Sequence, residues 1–268
     1  MIFPPLIRRW LLIACLWACP VLLHGGGSIE ELRAKAEQGD AEAQYILGVR
    51  YAKGEGVEKD AAETVKWYRK AAEQGYASAQ HTLAACYFSG YGVVKNQAEA
   101  VSWMRKAAEQ GNAKAQCEIA GSYFSGNGVV KNQAEGIKWY HTAAAQGDDS
   151  AQFNLGVYYR KGEGVKKDVA VAVKWFRKAA EQGRVDAQMN LGSIYADGIG
   201  VVKNDLLAYQ WYLLASANGH PLAAKREVPK LESKLTAEQR AEGQRLATEW
   251  QAAFEKKQKG KLGINSHK

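Results

Sequence analysis

The chain has 268 residues, 47% hydrophobic and 10% aromatic, which is enough apolar material for a packed interior and excludes a disordered chain. Its formal charge is +8, but residues 28–224 carry only +1, while 1–27 contribute +2 and 225–268 contribute +5 from eleven Lys/Arg against six Glu. A near-neutral body with basic ends excludes a spread nucleic-acid-binding face, and no nucleic-acid partner is expected.

Arg8 and Arg9 precede an apolar run over 10–23, and Gly25, Gly26, Gly27 and Ser28 follow. A basic start, a short apolar stretch and small residues match a secretory signal, so 1–27 is read as a signal peptide and the protein as exported, to the periplasm or beyond the cell. The run is about 14 residues, against roughly 20 for a helix that spans a bilayer. Three fates stay open: cleavage near Gly27/Ser28, lipidation at Cys15 or Cys19, or retention as an anchor. Leu12-Ile13-Ala14-Cys15 has lipoprotein-box residue types but little apolar sequence ahead of it. Leu16-Trp17-Ala18-Cys19 sits deeper but carries a bulky Trp.

Residues 28–38 form an N-terminal half-repeat, opened by a capping box of Ser28 and Glu31. From 39 to 219 a strict period rules. Trp67, Trp103, Trp139, Trp175 and Trp211 recur every 36 residues, and Gln44, Gln80, Gln116, Gln152 and Gln188 keep the same interval. Such a period marks a solenoid, in which one supersecondary unit stacks on its copies. In the first copy a front helix is predicted at about 41–52 and a back helix at about 61–74. Asp40, Asn112 and Asp148 suit front-helix caps, and Asp60, Asn96, Asn132, Asp168 and Asn204 suit back-helix caps. Gly75, Gly111, Gly147, Gly183 and Gly219 close the back helices. The Gly-x-Gly pairs between helices, such as Gly54/Gly56, recur in five copies without a P-loop or dinucleotide fingerprint, so they are turns and not phosphate cradles.

Positions 43, 44, 47, 48 and 51 share one arc of the front helix and recur as Ala, Gln, Leu/Ile, a small residue and Tyr. Trp67, Tyr68, Ala71 and Ala72 form the matching back-helix stripe, which places the tryptophans in the core. Beyond 219, capping helices are expected over 220–258. Ala223-Ala224 begins a sixth front helix, and Thr236 with Gln239 opens a helix at about 237–257, whose Leu246, Trp250 and Phe254 stripe covers the last repeat. Residues 259–268 read as a basic disordered tail. Lys256, Lys257, Lys259 and Lys261 are expected to make weak contact with an anionic membrane surface. Cys86 and Cys117 fall nine residues out of phase, roughly 13 Å along stacked helices, too far for a disulfide.

The string Ala151-Gln152, Leu155-Gly156, Tyr159, Gly162/Gly164-Val165, Asp168, Ala172, Trp175-Phe176, Ala179-Ala180 and Gly183 resembles the Sel-1-like repeat, a relative of the tetratricopeptide repeat. Departures are few: Ala84 and Ala120 at the small position, Thr64 and Gly136 on back helices, and Ser216 for Ala. The resemblance implies an all-α, right-handed α-solenoid of helix-turn-helix repeats with a C-terminal capping helix. It also implies an adaptor role in which front helices line a concave groove.

Front-helix positions that vary between copies are then the partner-binding candidates. One ladder reads Tyr45, His81, Cys117, Phe153, Met189, and the next reads Ile46, Thr82, Glu118, Asn154, Asn190. Aromatic and Met anchors beside polar side chains suit an extended peptide or partner helix. His81 and Cys117 lack a third ligand, so no metal and no cofactor are expected. A monomer binding a protein or peptide partner is the resulting picture. Some cysteine-rich relatives are linked to β-lactamase-type activity, which makes a weak hydrolase the alternative. Ser-x-x-Lys, Ser-Asp-Asn, Lys-Thr-Gly, Gly-x-Ser-x-Gly and His-Glu-x-x-His are all absent, and the chain is read as non-catalytic.

Overall fold

The computed structural model describes residues 28–261; residues 1–27, read above as a signal peptide, and residues 262–268 lie outside the described residues. Every regular element among the described residues is helical. A first helix, α1 (Ile29–Glu37), precedes five hairpins: α2 (Ala41–Lys53) with α3 (Ala61–Glu73), α4 (Ala77–Ser89) with α5 (Gln97–Glu109), α6 (Ala113–Ser125) with α7 (Gln133–Ala145), α8 (Asp149–Lys161) with α9 (Val169–Ala180), and α10 (Val185–Asp197) with α11 (Asp205–Ala217). A π-helical turn, Ala223–Glu227, runs into α12 (Val228–Glu232), and α13 (Ala237–Lys261) follows. The chain divides into two compact units, the first ending at Ala143 and the second beginning at Ala144.

The helix starts follow from their caps. Asp40 Oδ1 accepts from Ala43 N at 2.7 Å, and Asp148 Oδ1 accepts from Ala151 N at the same distance. Asn96 Oδ1 accepts from both Ala98 and Glu99, and Thr236 and Gln239 bond reciprocally at the head of α13. Each bond satisfies a backbone N–H that the first helical turn leaves without a partner. In several turns glycine is required by contact as well as by φ, most sharply where the contact is backbone. Gly92 (φ +67°) and Gly128 (φ +72°) press so closely on the preceding back helix that a Cβ would lie 2.1 Å from Ala61 O and 2.2 Å from Gln97 O.

A buried polar spine ties neighbouring repeats. In the first unit Gln44, Gln80 and Gln116 donate from Nε2 to the carbonyls of Ala36, Ala72 and Ala108, at 2.9, 3.0 and 2.9 Å. Those carbonyls belong to the last turns of α1, α3 and α5, where each also accepts from the backbone N–H of the closing glycine, Gly39, Gly75 or Gly111. Gln74 and Gln110 in turn donate to the Oε1 of Gln44 and Gln80, both at 2.7 Å. Arg33, Arg69 and Arg105 donate to the hydroxyls of Tyr51, Tyr87 and Tyr123, eighteen residues on. In the second unit Gln152 donates to Ala144 O, Gln182 to Gln152 Oε1, and Arg177 to Tyr195 Oη. Gln188 is fully buried, but its Nε2 has no partner. The preceding back helix, α9, stops one residue short of the other back helices.

Around this spine the apolar stripes close as the periodicity predicts. Leu83, Ile119, Met104 and Tyr68 are buried in the first unit, and Leu155, Phe176, Leu191 and Tyr209 in the second. The tryptophans differ among themselves. Trp67 and Trp211 are buried, while Trp103, Trp139 and Trp175 are half-buried. Lys106 and Lys178 lie over the outer faces of Trp103 and Trp175, 4.0 and 4.6 Å from the ring centroids. At the C-terminal end Trp250 meets Trp211 edge-on at 6.1 Å and stacks on Phe254 at 5.3 Å, so the α13 stripe covers α11. The sixth front helix is irregular, a π turn followed by a single short helix. Helix α13 runs to Lys261, four residues past its predicted end, so Lys256, Lys257 and Lys259 stand on a helix and not after one. Lysines in a last turn offset the negative end of the helix dipole, which favours that extension.

Candidate functional site

The candidate residues sit on the front helices α2, α4, α6, α8 and α10, but they are not equally available. In the first unit Tyr45 is only 8% exposed, with its ring 5.5 Å from Tyr68 and 5.4 Å from Tyr76. Ile46, His81, Thr82 and Cys117 are half-buried, and Glu118 is exposed. His81 Nε2 lies 3.1 Å from Glu118 Oε2, joining α4 to α6 across the face, and Thr82 donates to Ser78 O within its own helix. Neither Cys86 nor Cys117 forms a disulfide among the described residues.

In the second unit Phe153 packs on Phe176 at 5.7 Å, and the Arg184 guanidinium covers its other side at 4.7 Å. Arg184 is held there by Asp149 and Ser150, each at 2.9 Å. Met189 packs against the cluster of Tyr209, Tyr212 and Leu231. Asn154 and Asn190 are half-buried, and Asn190 Nδ2 donates to Asp186 O.

The ladder through position 45 was predicted to be free of packing; its aromatic members are not. Tyr45 and Phe153 are each covered by the residue 31 positions later, Tyr76 and Arg184. Both of these stand at the cap position of the next front helix, and both helices lack a side-chain capping bond. Where Asn112 and Asp148 occupy that register, the helix is capped and the ladder residue is His81 or Cys117. The sequence signal was therefore present: the cap residue is exchanged for a ring cover where position 45 is aromatic. The ladder through position 46 keeps its accessible character.

Among the described residues no group of three or more His, Cys, Asp or Glu is placed to hold a metal ion. An open cleft of about 530 Å³ lies beside Arg33, Tyr51, Asp60 and Glu63, where Glu63 is already bonded to Lys66 and to the Trp67 indole. Tyr212 is pushed up to about 12 by burial and then by the neighbouring Glu227 carboxylate, so it is held as a neutral core phenol. No helix among the described residues is long and apolar enough to cross a membrane.

Comparison with known proteins agrees with this geometry. The Sel1 repeat model matches residues 41–76, 77–112, 113–148, 149–183 and 185–220. A 46-residue stretch is 43% identical to the secretory immunoglobulin A-binding protein EsiB of Escherichia coli O6:H1, covering 17% of this chain and 9% of EsiB. The structure is similar to that of c5321, a protective antigen of uropathogenic Escherichia coli with an SLR fold, at TM-score 0.77 and 38% identity, over 84% of this chain and 49% of that one. It is also similar to a Sel1 repeat protein from Oxalobacter formigenes, at TM-score 0.69 and 36% identity, over 77% of this chain and 93% of that one. This chain thus spans about half of c5321 and a small part of EsiB. With five repeat matches over most of its length and an all-α array of packed helical pairs, the chain belongs to the Sel1 repeat family, whose members are generally protein-interaction scaffolds.

Proposed function

We propose that this protein is an exported, non-catalytic scaffold that holds a protein or peptide partner on its front-helix face. The observation that carries this reading is a division of labour within each front helix. The recurrent Gln and aromatic residues are bonded or packed to neighbouring elements, while the next register runs from Ile46 through Thr82 and Glu118 to Asn154 and Asn190 and remains partly or fully accessible. A face that is structurally uniform beneath and chemically varied above suits recognition of one particular partner. Its EsiB relative is named for binding secretory immunoglobulin A, which makes that glycoprotein the first defined partner to try. Export rests on the 1–27 signal pattern.

The test uses the front face itself. Ile46→Glu combined with Thr82→Glu changes two accessible positions of the first unit. It should weaken capture of secretory immunoglobulin A, or of a partner crosslinked in envelope extracts, at least tenfold with the melting temperature unchanged. Unaltered capture would remove this face from the reading. Turnover of a chromogenic β-lactam by the purified protein, abolished by one point substitution, would overturn the non-catalytic assignment. Cell fractionation with and without residues 1–27, with an intact mass, checks export and separates cleavage from lipidation.

A second contact is favoured by the continuation of α13, on which Lys256, Lys257 and Lys259 are exposed side by side. Binding to vesicles containing anionic lipid should fall steeply with salt and vanish on truncation after Phe254.

A further inference from the structure

Two neighbouring repeats carry the same eight residues where the front helix turns into the back helix: Gly92-Val93-Val94-Lys95-Asn96-Gln97-Ala98-Glu99 and Gly128-Val129-Val130-Lys131-Asn132-Gln133-Ala134-Glu135. Both lie in the first unit. The first valine of each pair packs inward, Val93 against the cluster around Val65 and Tyr68, and Val129 against that around Val101 and Met104. The second points into water: Val94 is 88% exposed and Val130 87%. A single exposed valine needs no explanation, but the same valine at the same register in adjacent repeats makes a row. Of the counterparts in the other repeats, Glu58 and Lys166 are charged, while Val202 in the second unit is again valine and 88% exposed, so the adjacent pair is confined to the first unit.

These turns are not mobile tips. Gly90 N donates to Cys86 O and Asn96 N to Tyr87 O, at 2.8 and 3.0 Å; Gly126 N donates to Ser122 O and Asn132 N to Tyr123 O, at 2.8 and 2.9 Å. Gly92 and Gly128 seat each turn against the preceding back helix. A partner meeting Val94 and Val130 would therefore find them already positioned, with little left to order. Lys95 and Lys131 follow directly, both exposed and without an ion-pair partner among the described residues. The helix caps beside them are the neutral Asn96 and Asn132, where the first copy has Asp60. Of the acidic residues in the two octapeptides, Glu135 is bonded to Lys138, and Glu99 stands in the first turn of α5.

We propose that Val94, Lys95, Val130 and Lys131 form a tandem docking surface for an extended protein segment carrying one aliphatic and one acidic side chain per repeat. Packed helices lie about 8–10 Å apart, and a chain in the extended polyproline II conformation advances about 3.1 Å per residue with three residues per turn, so an aliphatic–acidic pair recurring every three residues returns to the same face at about the repeat spacing. This surface is on the turn edge and is independent of the front-helix face.

The test uses the full chain with ¹³C-methyl-labelled valine, titrated with a synthetic peptide of four Leu-Glu-Ser triplets. Saturable shifts of the Val94 and Val130 methyl signals are expected, weakened at least fivefold in Lys95→Gln/Lys131→Gln and unchanged in Ile46→Glu/Thr82→Glu. A Leu-Lys-Ser peptide should leave the signals in place. Absence of shifts at millimolar peptide, or an equal response to the Leu-Lys-Ser peptide, would overturn the proposal. So would shifts produced by raising the protein concentration alone, since the row would then be a contact between copies of this chain.

Discussion

In the first unit, Gln80 and Gln116 hook the carbonyls of Ala72 and Ala108 and are capped from outside by a second amide or held in full burial. In the second unit, Gln188 occupies the same register and is more deeply buried, yet only its Oε1 is bonded, by Asn218 at 3.2 Å. Its Nε2 donates to nothing. The period places the same residue at both joints, but the bonds that residue makes differ. Equal residues at equal register do not guarantee equal bonding, and the last joint is the weaker one by this measure.

The largest effect expected separates close approach from backbone strain. Gly92→Ala forces a Cβ onto Ala61 O at positive φ and should cost more than about 3 kcal/mol. Gly56→Ala meets nothing nearer than Ile29 Cβ at 3.9 Å and should cost about 1 kcal/mol, the strain of a left-handed residue alone. Urea denaturation of both variants measures the difference, and equal losses would mean the tight seat of the turn is not what demands glycine.

Next in size is the spine itself. Gln80→Leu leaves the Gln110 amide without its partner and takes the side-chain bond from the Ala72 carbonyl, which keeps Gly75 N, and should cost about 1–2 kcal/mol. Gln188→Leu removes a group whose donor is already unbonded and should cost less than about 1 kcal/mol. Comparable costs at the two positions would break the contrast between the joints.

The smallest effect is alkaline. Tyr212, raised to about 12, is favoured neutral in the folded chain, so its contribution to stability is complete below pH 10 and is lost as pH rises from 10 towards 12. Tyr212→Phe should flatten that part of the stability profile relative to the parent protein. An unchanged slope would place the burial of this hydroxyl in doubt.

Much of the fold was legible because it rests on local chemistry. The caps at Asp40, Asn96 and Asp148 and the boxes at Thr236/Gln239 are decided within four residues of chain, and the structure forms each of them. The spine was not legible, because the partner of Gln80 is a backbone carbonyl, and carbonyls carry no sequence signature. The covering of Tyr45 by Tyr76 was missed because it crosses 31 residues and replaces a cap that the eye expects to be Asp or Asn. Of Val93 and Val94, identical in sequence, only the backbone of the turn decides which one is buried. The candidate site was thus half legible: the residues of register 46 remain partly or fully accessible, as the sequence variation suggested, while register 45 needed the three-dimensional neighbours to separate anchors from packing.

The central claim is that accessible front-helix positions, and not the back helices, meet the partner. A photo-crosslinking phenylalanine derivative placed at position 82 of the full chain, compared with the same group at the exposed back-helix position 102, tests this in native envelope extracts. The account predicts a discrete crosslinked protein from position 82 and none from 102. Crosslinks from 102 alone, or from neither position, would contradict it.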